Sequence, residues 1–223
     1  MIFTASRCRP MVQVMKEAQS AESRPYHHGD LRRALVDAAR RLLEAEGPSA
    51  LSLRAVAREA GVSPAAPYHH FKDKAELLDA VAHEGWEILN ARMREAKATE
   101  QGRQQLTALG LAYVCFAREH PALYRVMYDA ARDKEALPMD TRGSEDDSAY
   151  CMVRATMVEH GADPSAETDL ELATIASWCA AHGLAEMVGF KQFEHMREVL
   201  GGERPFIAAV LQHMGLFPHV RQD

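Results

Sequence analysis

The chain of 223 residues is poor in the features that mark secreted, membrane or metal-bound proteins. Its four cysteines, Cys8, Cys115, Cys151 and Cys179, are scattered with no paired spacing. That argues against a disulfide framework or a zinc cage and for a reducing, cytoplasmic setting. No apolar run approaches the roughly 20 residues that cross a bilayer, so no membrane partner is expected. The first 25 residues contain basic side chains but no continuous apolar stretch, so no secretory signal is read there. Nowhere do β-branched residues alternate with polar ones over a strand length. A Gly-rich phosphate loop, a His-x-x-x-His pair and a nucleophile elbow are all missing. The sequence therefore assigns no catalytic residue, no metal ligand and no cofactor.

What is present is an ordinary globular composition with an uneven charge. Hydrophobic residues make up 47% and charged residues 26%, and the length suits one large domain or two small ones. The formal net charge is −6. Residues 1–76 hold 12 Lys/Arg against 9 Asp/Glu, a balance of +3, whereas residues 77–223 hold 14 against 23, a balance of −9. A basic module on an acidic body points to a polyanionic partner for the first third alone. A balance of +3 is also within the reach of chance.

The hydrophobic pattern reads as all-α. Residues 1–25 lack periodicity and are expected to be a disordered tail, with Met1, Met11 and Met15 as alternative starts. Leu31, Ala34, Leu35, Ala38, Leu42 and Leu43 form one face of a helix over 28–46. Short helices are expected over 52–60 and 64–71, then a long one over 74–96 with Asp73 as N-cap and Glu76 completing a capping box. Further helices are expected after Gly102, from Pro121, over 147–160, within 167–190 and over 204–215. The charged stretch 132–148, broken by Pro138 and Gly143, reads as a mobile loop.

Two short helices joined by "GVS" make a helix-turn-helix signature. Ser52 caps the first and Gly61 suits the left-handed turn after it. Ser63 is expected to cap the second, with Pro64 at its first position. Pro67 would then be the fourth helical residue and would cost one backbone hydrogen bond. Such a second helix enters a major groove with its N-terminal residues against base edges. Ala65 and Ala66 are small enough for close approach, and Tyr68, His69 and His70 follow one turn later. Lys72 and Lys74 are placed to neutralise phosphates. The adjacent histidines point about 100° apart on a helix, which does not suit a metal. The competing reading is a purely structural turn in which Tyr68 and Phe71 anchor a three-helix core.

The stretch "LSLRAVAREAGVSPAAPYHHFKDKAELLDAVA", with "YHHGDLRRALVDAARRLLEAEG" before it, resembles the DNA-binding domain of tetracycline-repressor-like (TetR family) regulators. The likeness covers about residues 26–82 and rests on helix lengths, Gly61-Val62-Ser63, Tyr68, Phe71 and Lys74. Many relatives have Leu or Ile where this chain has Pro67. Trp178, His182 and Gly183 in "SWCAAHGLAEM" resemble a Trp-His-Gly signature of one branch. The resemblance implies an N-terminal three-helix module over 26–82 that binds an operator in double-stranded DNA through Ser52, Arg54, Ser63, Ala65, Ala66, Pro67, Tyr68, His69, His70, Lys72 and Lys74. It implies a helical effector-binding and dimerisation domain over 83–223, a homodimer, and release of DNA, most often repression, by a small molecule.

For the second domain the residues offer candidates. Trp86, Leu89, Met93, Tyr113, Phe116, Tyr124, Met127, Met152, Trp178 and Cys179 are candidates for lining a largely apolar pocket, although aromatics and methionines at helical spacing also build plain core. His182 is either a buried structural histidine or a ligand's polar contact. Ala173, Ala176 and Ala180, with Phe206, Ile207, Val210, Leu211 and Met214 of the last helix, are candidates for a subunit interface or for packing within one chain. The rival reading is an all-helical carrier or enzyme whose helix-turn-helix is only scaffold.

Overall fold

The computed structural model describes residues 28–132 and 148–214, with residues 28–30 and 132 described in backbone only. The expected tail over 1–25 and most of the expected loop over 132–148 lie outside the described residues. Every regular element among the described residues is helical, and none of these helices is long and apolar enough to cross a membrane.

Helix α1 (His28–Glu46) buries Leu35, Val36, Ala38, Ala39, Leu42 and Leu43, the stripe expected from 3.6-residue periodicity. Helix α2 (Leu53–Glu59) starts at Ser52, whose Oγ accepts the Ala55 amide at 3.1 Å. It ends in a Schellman turn: the Val62 amide reaches the Ala57 carbonyl at 2.9 Å, the Gly61 amide reaches that of Arg58 at 3.2 Å, and Gly61 sits at φ 69°, where a Cβ is costly. The third element is not the expected α-helix over 64–71 but a 3-10 turn, Ala66–His69.

Helix α3 (Lys74–Thr99) is the spine of the molecule. Asp73 Oδ1 accepts the Glu76 amide at 3.0 Å, and Glu76 Oε2 reaches past it to the Lys72 amide at 2.7 Å, a capping box shifted back by one residue. The first half of α3 buries Leu77, Val81, Ala82 and Gly85 and the second half Leu89 and Met93. The helix packs on α1, on α4 (Gln104–Glu119), on α5 (Pro121–Arg132) and on α6 (Ala149–Glu159). The expected division between 82 and 83 therefore falls inside one unbroken helix. His120 forms the α4–α5 elbow: its amide donates to Phe116 O at 2.9 Å and its carbonyl accepts from Tyr124 at 2.8 Å.

Helix α7 (Glu167–Met187) packs on α4 and α6. A 3-10 turn (Lys191–Phe193) and the short α8 (Glu194–Val199), neither foreseen from the sequence, lead to α9 (Glu203–His213), which lies on α4.

Helices α3 and α5 pack tightly at Gly85. A Cβ built there would stand 2.6 Å from Met127 Sδ and 3.1 Å from Leu123 Cδ1, and both of those side chains are fully buried. Gly85→Ala should therefore lower unfolding stability by about 1 kcal/mol, because overpacking outweighs the gain in helix propensity. Urea denaturation followed by circular dichroism would show the loss, and an unchanged or higher midpoint would contradict this packing.

Candidate nucleic-acid interface and regulatory cavity

The reading element is built by two prolines. Pro64 is the second residue of a turn closed by the Ala66 amide on Ser63 O at 3.0 Å, and Ala65 takes φ −85° and ψ −22°, the geometry of a type I turn. The 3-10 turn follows, with Tyr68 N on Ala65 O at 3.2 Å and both His70 N and Phe71 N on Pro67 O at 2.9 Å. Its N-cap is Ala65, without a side-chain cap, rather than the expected Ser63. Pro67 sits in the first positions of this turn, where its missing N–H has no partner to lose. The expected cost of Pro67 is therefore absent.

The same turn sorts the side chains. Pro67 and Phe71 are buried, Phe71 at 1% exposure, with the Arg32 guanidinium 5.2 Å above its ring. Tyr68 is 54% exposed, so Phe71 anchors the core and Tyr68 faces outward. Ala65 and His69 are also exposed, and Ala66 and His70 are half-buried. Arg54, Ser63, Lys72 and Lys74 are exposed around them. Ser52 is exposed, but its oxygen is used by the α2 cap. Lys74 Nζ donates to Pro48 O at 3.0 Å, which ties the start of α3 to the α1–α2 connection and leaves the ammonium two further protons.

In the body a cavity of about 30 Å³ is lined by Met93, Leu106, Leu109, Tyr113, Val153, Trp178 and Leu211, together with Thr107, Gly110, Ser177 and Ala181. That is room for about one water. Of the eleven sequence candidates, Met93, Tyr113 and Trp178 line it. Leu89, Phe116, Met127 and Met152 are buried elsewhere in the core, and Cys179 is exposed on the outside of α7. Trp86 stacks against Trp178, ring centroids 6.3 Å apart, without reaching the cavity.

Beside the cavity runs a hydrogen-bond chain that the sequence reading missed in part. Trp178 Nε1 donates to Tyr128 Oη at 3.0 Å. Tyr128 Oη lies 2.5 Å from Tyr113 Oη, which lies 3.0 Å from Tyr124 Oη, which lies 2.5 Å from His182 Nδ1. Indole can only donate, so Tyr128 Oη accepts from Trp178, and the phenols link that bond to the imidazole of His182, which Tyr113 Oη also approaches at 3.2 Å. Burial pushes the Tyr128 phenol up to about 12, and Tyr113 and Tyr124 well above the ordinary phenol range. Burial likewise holds His182 below the ordinary imidazole value, with Glu186 acting in the opposite sense. Tyr128 was legible as the i+4 neighbour of Tyr124, one turn apart like Trp178 and His182.

The cavity wall thus has its strongest donors spent inside the protein. Tyr113 and Trp178 belong to the chain, and Ser177 Oγ donates to Ala173 O at 2.9 Å. Among the described residues no three His, Cys, Asp or Glu side chains gather in a way that could hold a metal ion.

The expected interface residues divide. Phe206, Ile207 and Leu211 are buried within their own chain, Leu211 against Gly110 and the cavity, because α9 turns its apolar face onto α4. Val210, Ala173 and Ala180 are half-buried, and Ala176 and Met214 are exposed. The exposed apolar side chains are instead Leu172, Ile175 and Met187 of α7, Phe190, and Met196, Val199 and Leu200 in and after α8.

The depressed value of His182 has a sign. The unfolded chain binds the proton from about 6.5 downward, whereas the folded chain resists it, so stability is lost as pH falls below that value. His182→Gln should flatten this loss. Thermal melts from pH 7.5 to 5 should show the parent's midpoint falling more than the variant's, and parallel curves would contradict the chain.

Two family models match the chain: "Bacterial regulatory proteins, tetR family" over residues 35–81 and "Tetracyclin repressor-like, C-terminal domain" over residues 106–203. The uncharacterized HTH-type transcriptional regulator YobS of Bacillus subtilis is 25% identical over 172 residues, 77% of this chain and 86% of that protein. The HTH-type transcriptional regulator BetI of Brucella suis is 32% identical over 108 residues, 47% of this chain and 54% of that protein. A solved structure of a protein of unknown function from Rhodococcus sp. RHA1 superposes with a TM-score of 0.62 at 30% identity, covering 85% of this chain and 96% of that one. The chain therefore belongs to the TetR family of bacterial DNA-binding transcriptional regulators.

Proposed function

We propose that the protein is a homodimeric repressor that grips a palindromic operator with two reading turns and lets go when a small, largely apolar effector enters the body of each subunit. The observation that carries this reading is the exposed, proline-set turn bearing Ala65, Tyr68 and His69, with Lys72 and Lys74 beside it. Small residues at the leading end allow close approach to base edges, and the flanking cations meet phosphates. Two such turns must stand about 34 Å apart to meet successive major grooves. A modest tilt of either subunit then breaks the match, which is how an effector acts at a distance.

The effector class follows from the cavity. Its walls are apolar and aromatic, and the hydrogens of Tyr113, Trp178 and Ser177 are already committed. A charged ligand would be stripped of water with only the Thr107 hydroxyl and no opposite charge to replace it, so the fit is for an apolar molecule. The cavity of about 30 Å³ must widen to take one, and Met93, Leu106 and Leu211 are the flexible walls. The exposed apolar side chains Leu172, Ile175 and Met187 of α7 support a subunit interface on that helix.

A duplex enriched from a random-sequence pool with the full-length protein tests the DNA half. Lys72→Ala should weaken binding to all duplexes and lower the slope of log affinity against log salt by about 1.8, about 0.9 for each subunit. Tyr68→Ala should weaken binding broadly, and Ala65→Ser should change which sequences are enriched. Failure to prefer any duplex over random DNA at moderate salt would sink the reading and favour a carrier or enzyme.

Ile175→Glu, at a site 43% exposed in the single chain, should give a folded monomer by sedimentation and weaken operator binding at least tenfold, because one reading turn then acts alone. A dimer that survives this change would place the interface elsewhere.

A further inference from the structure

We infer that His120 is a positioning residue that clasps the DNA-reading module to the regulatory body, and that adding a proton to its ring opens one side of the clasp. The inference rests on reading the N-terminal module as the DNA-binding head. It concerns a cluster outside both the reading turn and the cavity.

Helices α1 and α3 meet the α4–α5 elbow at this ring. His120 Nδ1 lies 2.8 Å from Glu44 Oε1, near the end of α1, and Nε2 lies 3.0 Å from Arg92 Nη2 in the second half of α3. The ring itself sits on the α4–α5 elbow and tilts against Phe116 at 5.3 Å. Arg92 is held by Glu119 Oε2 at 2.5 Å and lies over the Phe116 ring at 5.6 Å. Glu44 is also 4.0 Å from Arg40. Histidine, Glu44 and Arg92 thus join the head to the body at the level where α1 ends.

The donors and acceptors fix the protonation state. A guanidinium has hydrogens and no acceptor, and a carboxylate has acceptors and no hydrogen. Arg92 must therefore donate to Nε2, and Nδ1 must carry the proton and donate to Glu44. Only this neutral tautomer satisfies both contacts. The other neutral tautomer sets N–H against N–H at Arg92 and a lone pair against the carboxylate at Glu44.

A second proton changes the two sides unequally. On the α1 side Nδ1–H keeps Glu44, and the bond becomes a charge pair. On the α3 side Nε2–H now faces an arginine N–H, cation against cation. Glu44 from α1 and Glu119 from α4 favour the charged ring, whereas Arg92 from α3 and Arg40 from α1 oppose it, and α5 contributes the Tyr124 amide to the His120 carbonyl. The ring therefore keeps Glu44 and loses Arg92, which stays on Glu119, and the head, held more firmly through α1 than through that stretch of α3, changes its orientation on the body.

Two measurements on the full-length protein test this. Long-range proton–nitrogen spectra of the histidine rings, with His120 assigned by its loss in His120→Gln, should show the Nδ1–H tautomer at pH 8. In the second, the duplex enriched from a random pool is titrated from pH 8 to 5.5. His120→Gln offers an amide donor to Glu44 and a carbonyl acceptor to Arg92 and does not titrate, so at pH 8 it should bind within about twofold of the parent. On acidification the parent should lose affinity relative to this variant by about fivefold or more, since changes common to both proteins cancel in the ratio. His120→Ala should bind about tenfold more weakly than the parent at pH 8. An Nε2–H tautomer at pH 8, or parallel pH profiles for parent and His120→Gln, would overturn the proposal. If no duplex is enriched, the regulator reading and the DNA half of this proposal fall together, and the ring tautomer alone decides the clasp.

Discussion

One helix runs through the whole of a single core, and most of the structure follows from that. α3 runs 26 residues, about 39 Å at 1.5 Å per residue, with no break in its backbone ladder. Its first turns complete the end of the core that Phe71 and α1 build, and its later turns the part that α4 and α5 build. A 46-residue segment such as 28–73 has little apolar surface of its own to bury. The reading head is therefore stable as an extension of the body, not as an independent bead on a linker. Rigidity along α3 means that a shift near Met93 is carried to Leu77 without being absorbed by a hinge.

The body solves a second constraint, the burial of polar aromatic groups. Three phenols and an indole placed side by side would each be costly without a partner. They are affordable here because each polar atom bonds to its neighbour along the chain to the imidazole, whereas the Trp86 indole N–H beside them is buried without a partner among the described residues. The outcome is a cavity wall that is chemically closed although it is built from tyrosine and tryptophan. Composition alone would have called these residues adaptable ligand contacts, and their mutual bonding makes most of them fixed structure.

Much of the fold was legible because it rests on local rules. The Ser52 cap, the Gly61 turn, the Asp73–Glu76 box and the apolar stripe of α1 depend on a few residues each, and all stand where spacing put them. The recognition element was legible as a motif but not in its geometry. Pro67 was read as a flaw in an α-helix, whereas the chain avoids the flaw by winding more tightly. The α9 assignment suffered from a different limit. Phe206, Ile207 and Leu211 mark an apolar face in the sequence, but which surface covers that face depends on how α9 falls across α4, and periodicity carries no information about that. Some cavity candidates lie away from it for the same reason: Met127 and Phe116 have the right chemistry, and tertiary packing alone decides that they fill space instead of bordering it, as Met93, Tyr113 and Trp178 do. The ion contacts of His120 span 76 and 28 residues of sequence and had no local trace.

The reading turn has one more consequence. Its backbone path is dictated by Pro64, Pro67 and the buried ring of Phe71, none of which needs to touch a base. The outward positions 65, 66, 69 and 70 contribute little to holding that path. Mutation can therefore exchange them at small cost to folding, and the vocabulary of recognised sequences can drift in descendants while the scaffold that displays it stays put.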